Sequence, residues 1–98
     1  MNEKLEEALI AIIWYNCHYE WLEELADELE SISMYYKLPL VALNTEQHTI
    51  WMLLVGMFGN WGTSINSGWI ENTKECAAYI RTLCRKAKGE EVEDYTNE

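Results

Sequence analysis

The chain has 98 residues, enough for one domain with a modest core. An apolar content of 49% excludes an intrinsically disordered chain. The formal charge is −10, from 17 acids against 7 bases, which disfavours nucleic acid and anionic membranes and fits either a basic partner or simply a soluble acidic protein.

The three cysteines are Cys17, Cys76 and Cys84, an odd number, and Met1-Asn2-Glu3-Lys4 begins no signal peptide. They read as free thiols in a reducing, cytoplasmic setting. The longest apolar runs, 8–15 and 50–58, fall far short of the ~18 residues that span a bilayer.

Residues 3–36 read as one long helix. A heptad runs through Leu5, Ile12, Tyr19, Ala26 and Ser33, and through Ala8, Tyr15, Leu22, Leu29 and Tyr36. Leu25 and Ile32 widen this seam. No Gly or Pro interrupts it, although Asn16-Cys17-His18 or Ser31-Ile32-Ser33 could bend it. A second stripe of Ile10, Trp14, Cys17 and Trp21 lies roughly opposite. An ordinary surface helix has one apolar stripe, so the second predicts a homodimer interface.

The stretch 35–43 is a connector, with Pro39 pushing Leu38 out of helical geometry. Residues 40–43 are either extended or packed irregularly on the core. A second helix begins at Asn44, whose spacing to Gln47 makes a variant capping box. It runs to about Phe58, with Gly59 suited to a left-handed C′ position. It is apolar nearly all round, which predicts the central helix.

Residues 59–70 form a loop with Gly59, Gly62, Gly68, Trp61 and Trp69. A third helix starts with the same signal, Asn72-Thr73-Lys74-Glu75. Its predicted core face is Cys76, Ala77, Ile80, Leu83, Cys84 and Ala87, and Gly89 ends it. Five of the 7 bases lie in this last segment: Lys74, Arg81, Arg85, Lys86 and Lys88. Residues 90–98 are acidic with little to bury and read as a disordered tail.

Four features carry candidate chemistry. Glu20, Glu23, Glu24, Asp27, Glu28 and Glu30 crowd one stretch, either as a rod of phosphate-mimicking carboxylates or as a solvated face balanced by the third-helix bases. Cys17, His18, His48, Cys76 and Cys84 are candidate metal ligands, but zinc spacings and the Glu-x-x-His pair of di-iron bundles are absent, so no metal is expected. Cys17 and His18 are sequence neighbours, which point about 100° apart on a helix and make no catalytic pair. No assembled constellation predicts an enzyme. Trp61 and Trp69 either plug the end of the bundle or stack on a ligand.

The loop sequence Gly59-x-Trp61-Gly62-Thr63-Ser64 followed by Gly68-Trp69-Ile70 resembles a segment in short uncharacterised proteins of Gram-positive phages and prophages. Those proteins often carry an acid before the aromatic and Pro-Arg after the Ser, where this chain has Asn60 and Ile65-Asn66. The resemblance covers residues 59–70 and transfers no activity. It implies a mobile-element setting, in which small acidic proteins often inhibit host machinery, including host defence.

The expected architecture is all-α: a long N-terminal helix, two shorter helices, a structured Gly/Trp loop, a domain over 1–89 and a tail over 90–98. The expected function is a non-enzymatic, cofactor-free inhibitor of a basic host protein that handles nucleic acid or serves defence. Its contacts would be Glu20, Glu23, Glu24, Asp27, Trp61 and Trp69, with Ile10, Trp14, Cys17 and Trp21 joining two copies. The alternatives are a nucleotide-sized ligand sponge built on the Gly/Trp loop and third-helix bases, and a structural oligomerisation module.

Overall fold

The computed structural model describes residues 3–16, 19–32, 35–59 and 68–89. Cys17, Trp61, most of the Gly/Trp loop and the tail 90–98 lie outside the described residues. In chain order the elements are α1 (Glu3–Asn16), α2 (Tyr19–Glu30), β1 (Tyr36–Lys37), a 3-10 turn (Leu40–Ala42), α3 (Thr45–Phe58), β2 (Trp69–Ile70) and α4 (Thr73–Ala87). The architecture is mostly helical, as composition and periodicity predict.

The long first helix is instead two helices, α1 and α2. The reason lies in the phase of their apolar residues. Leu9 and Ile13 are fully buried in α1, and Leu22, Leu25, Ala26 and Leu29 are buried in α2. At about 100° per residue, these two sets would lie on opposite sides of one uninterrupted rod. Breaking the rod lets both face the same core. The heptad seam therefore holds for α2 and fails for α1, where Ala8 and Tyr15 are exposed.

The central helix is α4, where α3 was expected. Nine residues of α4 are buried, against five of α3, because α4 packs against α1, α2 and α3. The predicted α4 core face, Cys76 through Ala87, is buried throughout. Tyr79 and Thr82 are also buried, which extends that face around the helix. α2 runs antiparallel to α4 and is tied at both ends. Tyr19 Oη donates to the Ala87 carbonyl at 3.4 Å, and Thr73 Oγ1 donates to the Ile32 carbonyl at 3.0 Å.

On the other flank, Glu6 of α1 accepts from Tyr79 Oη at 3.4 Å and pairs with Lys86 Nζ at 3.4 Å. The Tyr79 ring is buried and tilts against Phe58 of α3, with centroids 5.5 Å apart. A buried phenol needs a partner for its hydroxyl, and Glu6 supplies it. Three helices thus meet at one aromatic ring.

The start of α3 follows its sequence signal. Asn44 Oδ1 accepts from Gln47 N at 2.8 Å, and Gln47 Oε1 accepts from Asn44 N at 3.2 Å, completing the capping box. The matching expectation at Asn72 fails, since its side chain makes no cap hydrogen bond. In the connector, 40–42 is a 3-10 turn and Val41 is 98% exposed, so this part does not pack as a strand.

β1 and β2 pair antiparallel, Tyr36 opposite Ile70 and Lys37 opposite Trp69. Gly59 bridges Ile70 on the other side of β2. Gly59 is extended, with φ −83°, and does not take the expected left-handed form. Its lack of a side chain has another cause: a Cβ there would stand 2.7 Å from Val55 Cγ1 and 2.9 Å from the Trp69 carbonyl oxygen. Gly68, at φ 65°, does adopt the left-handed region.

Candidate functional site

The acidic stretch of α2 divides into two groups. Asp27 and Glu30 face α4, where Arg81 Nη2 reaches Asp27 Oδ1 at 2.8 Å and Glu30 Oε1 at 2.9 Å. Glu23 Oε2 meets Lys88 Nζ at 3.3 Å, and that ammonium also lies 5.3 Å from the Tyr19 ring centroid. The carboxylates, the Asp27 hydrogen bond first, raise the Arg81 pKa above its ordinary value. Glu28 accepts from Tyr36 Oη at 2.9 Å, linking α2 to β1. Burial and this contact push the Tyr36 phenol up to about 12.

Glu20 and Glu24 form the second group. Both are exposed and, among the described residues, neither has an ion-pair partner. Helical spacing puts them on one face with Asp27, whose carboxylate remains 77% exposed while held by Arg81. The four predicted contact residues of α2 therefore form one accessible acidic ridge. Its α4 edge is neutralised and its outer edge is not.

The Ile10, Trp14, Cys17 and Trp21 stripe is not uniformly presented. Ile10 and Trp21 are half-buried and pack against the core. Trp14 is 61% exposed, and Tyr15 beside it is 79% exposed. Cys17 lies outside the described residues.

Trp69 is half-buried in β2. Tyr35 meets its ring edge-on with centroids 5.8 Å apart, and Lys37 Nζ lies 5.7 Å from its centroid. Register explains this: Lys37 is directly opposite Trp69, close enough for an ammonium to reach the ring. Sequence reasoning placed Trp69 in a loop and missed this cluster. The aromatic run at Tyr35-Tyr36 is a strand signal, but two residues are too few to show alternation. Among the described residues the fully buried tryptophan is Trp51 on α3.

Cys76 and Cys84 are free, buried thiols. Burial pushes Cys76 up to about 12. Burial, reinforced by Glu23 and opposed by Lys88, pushes Cys84 up to about 11. Both stay protonated at neutral pH, which makes them poor nucleophiles and poor metal ligands. Among the described residues no group of three or more His, Cys, Asp or Glu could hold a metal, and no helix is long and apolar enough to cross a membrane. No family model, curated protein or solved structure matches this chain.

Proposed function

We propose that this protein is a non-enzymatic, mobile-element-encoded inhibitor that occupies a basic surface of a host protein that handles nucleic acid or serves defence. The supporting observation is the outer edge of the α2 ridge, where Glu20 and Glu24 stand exposed without an ion-pair partner among the described residues. Carboxylates held along a rigid helix can meet cations that otherwise bind phosphates, and the net charge of −10 speeds that encounter. The phage-like loop supplies the setting. Affinity capture from a Gram-positive host lysate tests the reading. Wild-type protein should retain a basic protein that elutes with salt, and the Glu20→Lys/Glu24→Lys variant should not. Equal retention by both overturns it.

A second reading, a nucleotide-sized ligand sponge, is favoured by Lys37 lying over the Trp69 ring beside Tyr35. A base could stack there while the ammonium meets a phosphate. An ultraviolet-absorbing ligand that co-purifies, and is lost in Trp69→Ala, would support it.

A further inference from the structure

We propose that the outward face of α1 docks a cationic, arginine-bearing segment of a partner protein, with Trp14 as its aromatic seat and Glu7 and Glu3 as the carboxylates beyond it. This rests on the reading that the partner is basic, and it names which part of the surface supplies affinity beyond charge.

Trp14 and Tyr15 are adjacent, large and mostly exposed. The other exposed large apolar side chains among the described residues, Tyr35 and Val41, stand apart in the connector. Leu9 and Ile13 anchor the opposite side of α1 to the core, so the face that carries Trp14 and Tyr15 is set outward. Ala8 and Ala11 are exposed on this face as well, giving the rings a flat surround. At about 100° per residue, Glu3, Glu7 and Trp14 share one narrow stripe, and both carboxylates are exposed. Lys4 is exposed on the same outward face, between Glu7 and Tyr15 in helical phase.

Charge selects the occupant. A second copy would bring Glu3 and Glu7 against their equivalents and add another −10. An anionic lipid surface or a nucleic acid meets the same repulsion. A cationic segment meets net attraction, with Glu3 and Glu7 outweighing Lys4 on this face. Arginine suits the seat better than lysine, because a planar, weakly hydrated guanidinium stacks on an indole face. Seven positions separate Glu7 from Trp14, two helical turns, so the two sites stand about 10 Å apart. Cations spaced i, i+7 on a partner helix, or i, i+3 on an extended strand at about 3.3 Å per residue, match that distance.

The test uses the full chain and a fluorescein-labelled nona-arginine peptide, with anisotropy as readout and nona-lysine in parallel. Nona-arginine should bind more tightly than nona-lysine. Trp14→Ala/Tyr15→Ala should weaken nona-arginine about tenfold at unchanged net charge, the scale of a well-placed cation–π contact. Trp14→Phe should recover part of the loss. Glu7→Lys should weaken binding by a similar factor, while Glu71→Lys, an equal charge change at another exposed site, should alter it less than twofold. Circular-dichroism melting confirms that each variant folds, and Glu7→Lys carries the test alone if the aromatic variant does not. If the aromatic variant folds and binds like the wild type while Glu20→Lys/Glu24→Lys loses the peptide, this inference falls and the acidic-ridge reading stands. If neither set changes binding, both fall. If sedimentation shows a dimer that Trp14→Ala dissolves and nona-arginine leaves intact, the occupant is a second copy and the inference is overturned.

Discussion

The buried indole of Trp51 donates its Nε1–H to the carbonyl oxygen of Gly68 at 3.1 Å, joining the middle of α3 to the residue that precedes β2. The ring also meets Tyr36 of β1 edge-on, with centroids 6.2 Å apart. One side chain thus holds both strands to the helical core. Trp51→Phe keeps an aromatic in the site but leaves the Gly68 carbonyl buried without its donor, a loss of about 1–3 kcal/mol. Trp51→Ala adds a cavity and should cost about 3–5 kcal/mol. Urea unfolding of the two variants separates the hydrogen bond from the packing. A Trp51→Phe loss near zero beside a large Trp51→Ala loss would show that the hydrogen bond contributes nothing.

Two glycines of one segment should respond in opposite directions to alanine. Gly59→Ala drives a Cβ into Val55 Cγ1 and the Trp69 carbonyl, so destabilisation of about 1–3 kcal/mol is expected. Gly56 lies inside α3, is exposed, and has nothing within 4 Å of its would-be Cβ. Gly56→Ala should stabilise by about 0.5–1 kcal/mol through helix propensity alone. A melting temperature unchanged or raised in Gly59→Ala would contradict the close approach there.

Arg81 ties α2 to α4 through two carboxylates, but all three groups touch solvent. Arg81→Ala should therefore cost about 1 kcal/mol or less at low salt. The difference from wild type should shrink toward zero near 1 M salt, where screening reaches about 3 Å. A loss of several kcal/mol that persists in salt would mean that the arginine stem, and not its charge, supports the interface.

Alkali should loosen the fold before neutral or mildly acidic conditions do. Cys76, Cys84 and Tyr36 all ionise to anions, and all have folded-state pKa values raised above their ordinary ones, to about 12, about 11 and about 12. The unfolded chain loses these protons first, near 9.0 for the thiols and 10.0 for the phenol. Their contribution is complete below pH 9 and declines as pH rises through 11 to 12. Denaturation free energy measured from pH 8 to 11 should fall steadily. In a Cys17→Ser background, a thiol reagent at pH 8 should label Cys76 and Cys84 only as fast as the protein opens. Immediate labelling would contradict their burial.

The helical character, the α3 capping box and the α4 core face were readable because each is a local signal carried by several residues. Asn44 and Gln47 satisfy one another across one turn. Cys76 to Ala87 repeats the apolar period over three turns. Residue types marked Asn16-Cys17-His18, where α1 gives way to α2, only as one of two possible bends, since no Gly or Pro settles it. The division emerges only when Leu9 and Ile13 are compared in phase with Leu22 and Leu29, and that comparison requires knowing which of many apolar residues on α1 are buried. The strands were hidden for a different reason. Their pairing joins Lys37 to Trp69 across a large sequence separation, and two-residue strands show no period. At the candidate site, the acidic ridge was legible as composition, but its division into paired and exposed edges depends on where Arg81 and Lys88 project from α4.

The position of α4 in the chain has a consequence for how the protein is made. The helix on which α1, α2 and α3 all rest is the last of the four to leave the ribosome. Until Thr73 to Ala87 has been synthesised, α1 can close on α3, but α2 lacks the helix it chiefly packs against and Leu22, Leu25 and Leu29 stay uncovered. The nascent chain must carry an exposed apolar α2 until α4 has emerged, and full assembly waits for that helix. A premature stop near Asn72 would not yield a smaller version of the domain. It would release α2 without its packing partner, a species suited to chaperone capture or proteolysis.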